Sequence, residues 1–385
     1  MKKIRYLTGA VIFLLFILIY FLTSAGNTPY DYFVRLADAF LSGRYWLVDP
    51  PAWLNETIPG NGKNFVVYPP MPAILLIPVV MLFGIIFPQQ ILAHALGAGI
   101  VLVTIKIAYS ISKDAAIAVW SGLLIGLGSI LWFMSATGSV WYLGQITAVF
   151  FILCAINESL NKKRGLLIGV FLGAAVLSRV HLIITLPFFL LFTYRPKYLL
   201  QRGSSILAGL APFVIFYALY NYVRFGSPLQ TGYTLIPGIL SESWYSKGLI
   251  HPSYIISHLK LFLTKLPIFT ASPPYLKPSW GGLAIWITTP AFIYAFSASV
   301  KEKNVILTWT ALIAIALVVF SHGATGFTQF GHRYAVDFYP FLLLLTIYGV
   351  SKTNLKWIHW FLLALSIIVN LWGVLWINKF HWVSF

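Results

Sequence analysis

Residues 7–43 read LTGAVIFLLFILIYFLTSAGNTPYDYFVRLADAFLSG, an apolar run joined to a segment with a helical repeat. The run of about 20 apolar residues is long enough for a helix to cross the hydrocarbon core of a bilayer. After it, apolar side chains recur three and four positions apart, at Phe33, Leu36, Ala37, Phe40 and Leu41. This spacing is typical of an amphipathic helix in the membrane surface. The stretch therefore predicts a membrane-spanning helix followed by an interfacial helix.

The composition extends this prediction to the whole chain. Of the 385 residues, 59% are hydrophobic and 9% are charged, whereas soluble domains carry about a quarter charged residues. These values exclude a soluble enzyme, a nucleic-acid-binding protein and a disordered chain. The net charge of +17 comes from short basic clusters between apolar runs, a pattern typical of membrane topology. The single cysteine, Cys154, excludes an intramolecular disulfide and a cysteine-based metal site.

Apolar segments of spanning length recur along the chain, and they predict an all-α polytopic membrane protein with a bundle of about 11 transmembrane helices. Nine predicted spans are 7–25, 90–111, 115–134, 140–158, 203–222, 282–300, 304–322, 335–350 and 357–376. A further apolar run, 165–194, is interrupted by the polar residues Ser178, Arg179 and His181. Because a charge at the centre of one long helix is costly, we predict two short helices that meet at this polar break.

The basic clusters orient the bundle, since Lys and Arg concentrate in cytoplasmic loops. The clusters are Lys2/Lys3/Arg5, Lys162–Arg164, Arg195/Lys197/Arg202, Lys301/Lys303 and Lys352/Lys356. Their common placement in the cytoplasm requires that the proline-rich segment 72–87 lies on or dips into the outer leaflet without crossing. The N-terminus is then cytoplasmic and the C-terminus lies outside. We expect one domain, 1–385, in the cell membrane, with outer loops at 26–89 and 223–281.

The first outer loop places an acidic residue, Asp31, shortly after the first span. A carboxylate held there by a short tether lies beside lipid headgroups, where it can act as a general base. Two structural roles compete with this interpretation. Thr28 as N-cap with Asp31 three residues later forms a capping box, and Asp31 with Arg35 has the spacing of a helical ion pair. Asp38 and Asp49 are secondary candidates in the same loop.

Several motifs resemble those of GT-C glycosyltransferases, and together they cover most of the chain. In the first loop the motifs are Tyr30-Asp31, Leu36-Ala37, Leu41-Ser-Gly43 and Tyr68-Pro-Pro-Met-Pro72, with an apolar run that ends at Gly84. Downstream they are Ser178-Arg179, the segment 220–233 and the segment 331–340. Within the superfamily, the pattern is similar to the protein O-mannosyltransferases, the lipid A aminoarabinose transferases and a related Rgt-like bacterial group.

The resemblance implies an inverting hexosyl or pentosyl transferase that uses a polyprenyl-phosphate sugar on the extracytoplasmic face. It also implies that Asp31 is the catalytic base, because Asp31 matches the Asp of an Asp-Glu pair in those families. The chain departs from the family pattern at Tyr32, which stands in place of the Glu. It departs again at Tyr68, where many members have Lys before the two prolines.

A departing lipid phosphate needs cationic or hydrogen-bonding partners. The donor-phosphate candidates on the predicted outer face are Arg333, Arg179 and His332. Arg333 is the leading candidate because it lies between a Gly-rich loop and the start of a helix, and its structural alternative is an i,i+4 ion pair with Asp337. Lys260 and Lys265 are secondary candidates. They lie on a predicted interfacial helix, 253–266, where basic residues usually contact anionic lipids.

No cofactor is expected. The eight histidines show no His-Glu-x-x-His spacing, so we predict no obligatory metal, although weak binding of a divalent cation by outer carboxylates stays open. The expected partners are the polyprenyl-phosphate sugar donor, membrane lipids and an acceptor that is a glycan, a lipid or a protein. No nucleic acid is expected.

Two other functions use related lipid chemistry. A lipid-linked oligosaccharide flippase or secondary transporter would show inverted repeats and charges near mid-membrane, and no repeat is apparent. An O-antigen polymerase or ligase would carry its basic catalytic residues in a large late loop, a role that 223–281 leaves open. ATP-driven transport by this chain is excluded, because no phosphate-binding loop motif occurs and the cytoplasmic loops are short.

Overall fold

The computed structural model describes residues 2–192, 198–273 and 275–381 and shows an all-α polytopic membrane protein. Arg195 and Lys197 lie outside the described residues, as do the side chains of Lys2, Lys3 and Arg5. The first helices are α1 (Lys2–Leu22), α2 (Tyr32–Leu41), α3 (Met71–Phe83), α4 (Gln90–Ser112), α5 (Ala115–Gly126), α6 (Leu131–Thr137), α7 (Val140–Leu160), α8 (Gly165–Val176) and α9 (Leu186–Leu191).

The later helices are α10 (Leu199–Phe225), α11 (Ile255–Thr264), α12 (Ile285–Thr288), α13 (Lys303–Phe320), α14 (Tyr339–Thr353) and α15 (Trp357–Val374). Two small antiparallel hairpins lie in the loops 26–89 and 223–281. They pair β1 (Thr57–Gly60) with β2 (Lys63–Val66) and β3 (Ile268–Phe269) with β4 (Leu276–Lys277).

Within the described residues, six helices are long and apolar enough to cross a membrane. Five of them, α4, α7, α10, α13 and α15, coincide with predicted spans to within a few residues, and the sixth joins the 3-10 turn 333–338 to α14. The pair α5 and α6 passes the same test together but bends by 55° at its break. The predicted span 115–134 is therefore a broken helix. The count of eleven crossings stays a prediction.

The centre of the bundle is formed by α7 and α14. In their most apolar stretches, 72% of the α7 residues and 83% of those in 333–353 are buried, against 33% for α10 and for α13. Buried apolar side chains of the described residues form one continuous cluster from α1 to α15, with a small second cluster around Tyr217 and Tyr220. Because only a third of the residues in these stretches of α10 and α13 are buried, these two helices lie at the periphery of the bundle.

The predicted span 282–300 is wrong as a single helix. The structure has α12 there, then a break at Thr289 and a 3-10 helix that begins at Pro290. Pro290 lacks a backbone N–H and disfavours helical conformation in the preceding residue, and Thr289 has φ −147° and ψ 66°. The carbonyl of Thr288 accepts a hydrogen bond from Nδ2 of Asn370 at 2.6 Å. Contact with α15 thus satisfies backbone that lipid would leave unpaired.

The predicted break in the run 165–194 is confirmed. Helix α8 ends at Val176, and Arg179 then adopts an extended conformation with φ −148°. A 3-10 helix, Val180–Thr185, leads into α9. The two short helices therefore meet at the polar residues, as expected from the cost of a charge inside one long span.

The amphipathic helix of the first loop is present, but it begins later than the capping box requires. Helix α2 starts at Tyr32, and Asp31 occupies the N-cap position without a side-chain hydrogen bond to the helix. The hydroxyl of Thr28 instead accepts a hydrogen bond from the N–H of Tyr30 at 3.2 Å. The capping box proposed for Asp31 is therefore not formed.

A buried glutamine, Gln89, fixes the start of α2 inside the bundle. Its Oε1 accepts a hydrogen bond from the N–H of Phe33 at 3.0 Å, and its Nε2 donates to the carbonyl of Gly138 at 3.1 Å. The apolar face of α2 is covered by protein, since its buried residues are Tyr32, Phe33, Val34, Leu36, Ala37 and Ala39. The position of Asp31 is thereby tied to the turn between α6 and α7.

The proline-rich segment 72–87 forms most of α3 and a 3-10 turn, Gly84–Ile86. A helix of this length extends for about 20 Å, which is less than the roughly 30 Å of the hydrocarbon core. The N–H of Met71 donates to the carbonyl of Leu177 at 3.0 Å, so the start of α3 rests on the end of α8. The far end exposes apolar side chains, among them Met81, Leu82 and Ile86. That this segment stays in the outer leaflet remains a prediction.

Helices α8 and α10 touch through glycine. Gly165, Gly169 and Gly173 are four residues apart on one side of α8, and a Cβ at Gly169 would meet the carbonyl oxygen of Ile206 on α10. A Cβ at Gly209 on α10 would likewise meet the carbonyl oxygen of Leu166. Small residues at such spacing let membrane helices approach backbone to backbone.

We expect Gly169→Ala to destabilise the protein by about 1–3 kcal/mol, because the new methyl group forces apart two packed backbones. The measurement is the apparent Tm of the purified protein in detergent. Gly9→Ala in α1 is the matched control, since the Cβ that it adds meets no other helix within 4 Å among the described residues. Equal Tm values for the two variants would contradict close packing of α8 on α10.

Candidate active site

The carboxylate of Asp31 forms an ion pair at the start of α2. Its Oδ1 lies 2.7 Å from Nε of Arg35, and the two side chains are 20% and 27% exposed, respectively. The i,i+4 pair considered as a structural alternative is therefore formed. The pair holds one carboxylate oxygen in place, and no hydrogen bond of the described residues involves Oδ2.

A second carboxylate, Glu56, lies beside the start of α2. The hydroxyl of Tyr32 accepts a hydrogen bond from the backbone N–H of Glu56 at 3.1 Å. Nε1 of Trp141, at the start of α7, donates to both carboxylate oxygens at 3.3 and 3.2 Å. The ring of Trp141 in turn lies 4.5 Å from that of Tyr30, measured between centroids. Glu56 thus contacts Tyr32, next to Asp31, on one side and Trp141 of the helix bundle on the other.

The environment of Glu56 raises its pKa. Burial is the largest cause, and the nearby charge of Glu242 acts in the same direction. The hydrogen bond from Trp141 and the positive charge of Arg333 oppose it. Perturbed carboxylates of this kind are concentrated at functional sites.

Analysis of the sequence did not select Glu56. The loop 26–89 contains four acidic residues, and three of them, Asp31, Asp38 and Asp49, were named as candidates. Glu56 lies within Asn55-Glu-Thr57, a formal glycosylation sequon that does not mark the acid as functional. Its partner Trp141 is 85 positions away. The sequence offered one indication of a role for Glu56, namely that the loop contains only four acidic residues.

The guanidinium of Arg333 has no carboxylate partner among the described ion pairs. Its backbone N–H donates to Oε1 of Gln329 at 2.9 Å, and its carbonyl accepts from Nε2 of Gln145 at 2.8 Å. The guanidinium lies 5.0 Å from the ring centroid of Tyr334, and its buried Nε has no hydrogen-bond partner. The backbone is therefore fixed while the charge is free to bind an anion.

Asp337 pairs with Arg179 rather than with Arg333. Its Oδ2 lies 2.9 Å from Nη2 of Arg179 and 3.0 Å from Nε2 of His181, while Oδ1 accepts from Nε2 of Gln145 at 3.2 Å. The Asp337 side chain is 0% exposed. The i,i+4 pair considered for Arg333 is therefore absent. Arg179 uses Nε and Nη2 in this contact, and Nη1 is not engaged by Asp337.

The third phosphate candidate, His332, is buried in a chain of histidines. It is 2% exposed, and its Nε2 lies 2.9 Å from Nδ1 of His258, whose Nε2 donates to the carbonyl of His322 at 2.8 Å. Burial lowers the pKa of His258 and of His322 to about 4 and that of His332 well below its usual value. His332 is therefore neutral at neutral pH, and it positions the backbone just before Arg333.

Tyrosine rings connect the two loops in this region. Tyr68 packs edge-on against Tyr32 and Tyr233, with centroids 5.5 and 6.4 Å apart, respectively. The hydroxyl of Tyr68 is buried without a hydrogen-bond partner in the part of the chain that the structure describes. Arg179 and Glu56 are both close enough to Tyr233 to affect its pKa, which burial raises. The carboxylate Glu56 and the cations Arg179 and Arg333 therefore share one tyrosine-lined region.

The secondary candidates have other surroundings. Asp38 lines a small cavity with Arg35 and Arg44, and Asp49 is exposed at a turn with φ +42°. Lys260 and Lys265 are exposed and line an open groove of about 540 Å³ along α11. No described hydrogen bond or ion pair joins these four residues to Glu56 or Arg333.

Arg224 holds the second loop to the first. Its Nη1 donates to the carbonyl of Val66 at 2.6 Å, its Nη2 donates to Oδ1 of Asn221 at 2.7 Å, and its guanidinium stacks 3.7 Å from the centroid of Tyr220. The side chain is buried and its hydrogen bonds are satisfied. We therefore assign it a structural role. Among the described residues, no group of three or more His, Cys, Asp or Glu has the geometry of a metal site.

No sequence family model and no curated protein matches this chain. Solved structures do resemble it. ArnT from Cupriavidus metallidurans, solved bound to undecaprenyl phosphate, matches with a TM-score of 0.54 and 16% identity over 91% of this chain and 61% of its own. The Archaeoglobus fulgidus oligosaccharyltransferase, solved with a tethered acceptor peptide, matches with a TM-score of 0.51 and 12% identity over 98% of this chain and 55% of its own.

Both structures are GT-C glycosyltransferases. The chain therefore has the GT-C fold, and the resemblance inferred from its motifs is confirmed at the level of fold. At these identities the similarity concerns the fold alone. The chain spans less than two thirds of the length of either protein.

We expect Asp337→Asn to destabilise the protein by about 3 kcal/mol, because it leaves Arg179, which is half-buried, without its counter-ion. Glu158→Gln is the control, since Glu158 pairs with Arg164 at 2.9 Å but the Arg164 side chain is 52% exposed. Its loss of apparent Tm in detergent is expected to be much smaller. Equal losses would mean that the Asp337 pair contributes no more than a surface contact.

Glu56→Gln is expected to raise the apparent Tm at pH 7.5. The raised pKa of Glu56 means that the folded state disfavours the ionised form, so wild-type stability falls as pH rises through that pKa. Gln keeps an acceptor for Trp141 and carries no charge. The gain over wild type should therefore shrink as the pH is lowered towards 5, and a gain that does not change with pH would contradict this cause.

Proposed function

We propose that this protein transfers a sugar from a polyprenyl-phosphate donor to an acceptor hydroxyl on the extracytoplasmic face of the membrane. The observation that carries the proposal is that one end of α7 binds both a first-loop carboxylate, Glu56, and the backbone of Arg333, on a GT-C fold. Trp141 donates to Glu56, and Gln145, one turn further along α7, donates to the carbonyl of Arg333. Tyr32, the neighbour of Asp31, accepts from the N–H of Glu56. We propose the donor class because ArnT was solved with undecaprenyl phosphate bound. In the proposed site a carboxylate accepts the proton of the acceptor, and a cation binds the phosphate of the donor.

In the proposed reaction the acceptor oxygen attacks the anomeric carbon of the donor sugar while Asp31 takes the hydroxyl proton. The new carbon–oxygen bond forms as the bond from the anomeric carbon to the phosphate oxygen breaks. Polyprenyl phosphate leaves with the bonding electrons. Attack from the face opposite the leaving group inverts the anomeric configuration. Arg35 orients Asp31 through its contact with Oδ1.

Arg333 is the proposed ligand of the donor phosphate. A guanidinium presents five N–H donors in a plane and binds phosphate through two of them at once. We assign Arg179 and His332 a supporting part, because Arg179 already binds Asp337 and His332 is buried behind Arg333. Lys260 on α11 and Lys265 just after it are both exposed and are assigned to contact with anionic lipid headgroups. The scheme gives no step to a metal ion.

The test is transfer by purified protein in nanodiscs, offered radiolabelled polyprenyl-phosphate sugars with a membrane-lipid and glycan extract as acceptors. Asp31→Asn should lower turnover at least about 100-fold, since a general base contributes a factor of about 10²–10⁴. Donor binding should persist.

Asp49→Asn is the matched control, because the same change falls on an exposed loop acid whose positive φ asparagine tolerates. Its turnover should equal that of wild type. Unchanged turnover in Asp31→Asn would leave Asp31 only its ion pair. The base would then be Asp49 if Asp49→Asn loses turnover, and Asp38 if it does not. Lipid translocation without any sugar transfer by wild type would support the flippase instead.

A further inference from the structure

The carboxylate of Glu56 has acceptor capacity that the protein does not use. Its two oxygens share one donor, Nε1 of Trp141, whereas an ionised carboxylate accepts about four hydrogen bonds. No other hydrogen bond to these oxygens occurs among the described residues. A partly buried charge in this state is unfavourable unless a ligand supplies further donors.

Glu56 is held rigidly for such a ligand. Its N–H is bound by the hydroxyl of Tyr32, and the next residue, Thr57, begins the β1–β2 hairpin. Its carboxylate is held by Trp141, whose ring packs against Tyr30. A group fixed from both backbone and side chain binds a partner without a large loss of conformational entropy.

The surroundings of Glu56 suit a sugar. Both Trp141 and Tyr30 are half-buried, so neither residue is fully covered by protein. An aromatic ring offers an apolar face to the C–H groups of a sugar, while a carboxylate accepts hydrogen bonds from its hydroxyls. Few polar groups next to aromatic surface are typical of small-molecule sites.

The sign of the charges decides which part of a donor each group binds. Glu56 accepts from Trp141, and the carbonyl of Arg333 accepts from Gln145, one turn further along α7. No ion pair within 4.0 Å joins Glu56 and Arg333 among the described contacts. A phosphate is attracted by Arg333 and repelled by Glu56. The sugar ring attached to that phosphate carries hydroxyl groups, which can donate hydrogen bonds to the carboxylate of Glu56.

We propose that Glu56, with Trp141 beside it, binds the sugar of the donor while Arg333 binds the phosphate. This inference rests on the proposed function and adds a specificity-determining residue to it. Glu56 contacts the hydroxyls of the transferred ring and has no part in removing the acceptor proton. Glu56 therefore sets which sugar the protein accepts.

The experiment compares binding of two kinds of probe to the full-length protein in nanodiscs. One probe is undecaprenyl phosphate, and the others are undecaprenyl phosphates that carry glucose, mannose or aminoarabinose. Glu56→Gln should weaken binding of the preferred sugar lipid about tenfold, the effect of losing a hydrogen bond to a charged group. Binding of undecaprenyl phosphate itself should change less than twofold.

Glu302→Gln is the matched control. Glu302 is an exposed glutamate at the start of α13 and makes no side-chain hydrogen bond to that helix, so both affinities should stay at the wild-type value. Arg333→Gln should weaken both probes alike.

The inference is overturned if Glu56→Gln weakens both probes equally or weakens neither while Arg333→Gln still acts. It is also overturned if wild type binds the sugar lipids no better than undecaprenyl phosphate. Failure of the proposed function would give a different result. Arg333→Gln would then bind undecaprenyl phosphate and the sugar lipids as well as wild type does.

Discussion

The arrangement of the candidate site depends on the contacts of one buried carboxylate, that of Asp337. Arg179, His181 and Gln145 come from separate parts of the chain and converge on it. A charge in a membrane bundle is strongly unfavourable without a partner, so the α8–α9 hairpin, α7 and the start of α14 pack so that these groups meet. Because Arg179 neutralises Asp337, Arg333 keeps an unpaired guanidinium.

The residues that carry the proposed chemistry lie where regular helices stop. Arg179 follows the end of α8, Asp31 precedes the first turn of α2, and Arg333 begins a 3-10 turn before α14. Irregular backbone at membrane depth persists only when protein satisfies its polar groups. Gln89, Gln145 and Gln329 bind backbone groups at these breaks, so these glutamines position the site.

Local hydrophobicity was a good guide to helices and a poor guide to their continuity. It located α4, α7, α10 and α15, and the polar interruption at Ser178–His181 correctly predicted a break. It failed at 282–300, because an apolar run is compatible with any buried conformation and Pro290 decided the backbone. The capping interpretation also failed at the start of α2. The acceptor for a backbone N–H of the first turn, that of Phe33, is Gln89, 56 positions away, and not Thr28.

The amino-acid sequence alone determined the class of the protein and two of its main candidates. Apolar periodicity and charge placement specify an all-α membrane protein, and short motifs indicate the GT-C group with Asp31 and Arg333. Only the tertiary structure decided which charges meet. Asp337 and Arg179 are 158 positions apart, and Glu56 and Trp141 are 85 apart. A partner four residues away follows from helix geometry, whereas distant partners depend on the packing of many side chains, which no local pattern encodes.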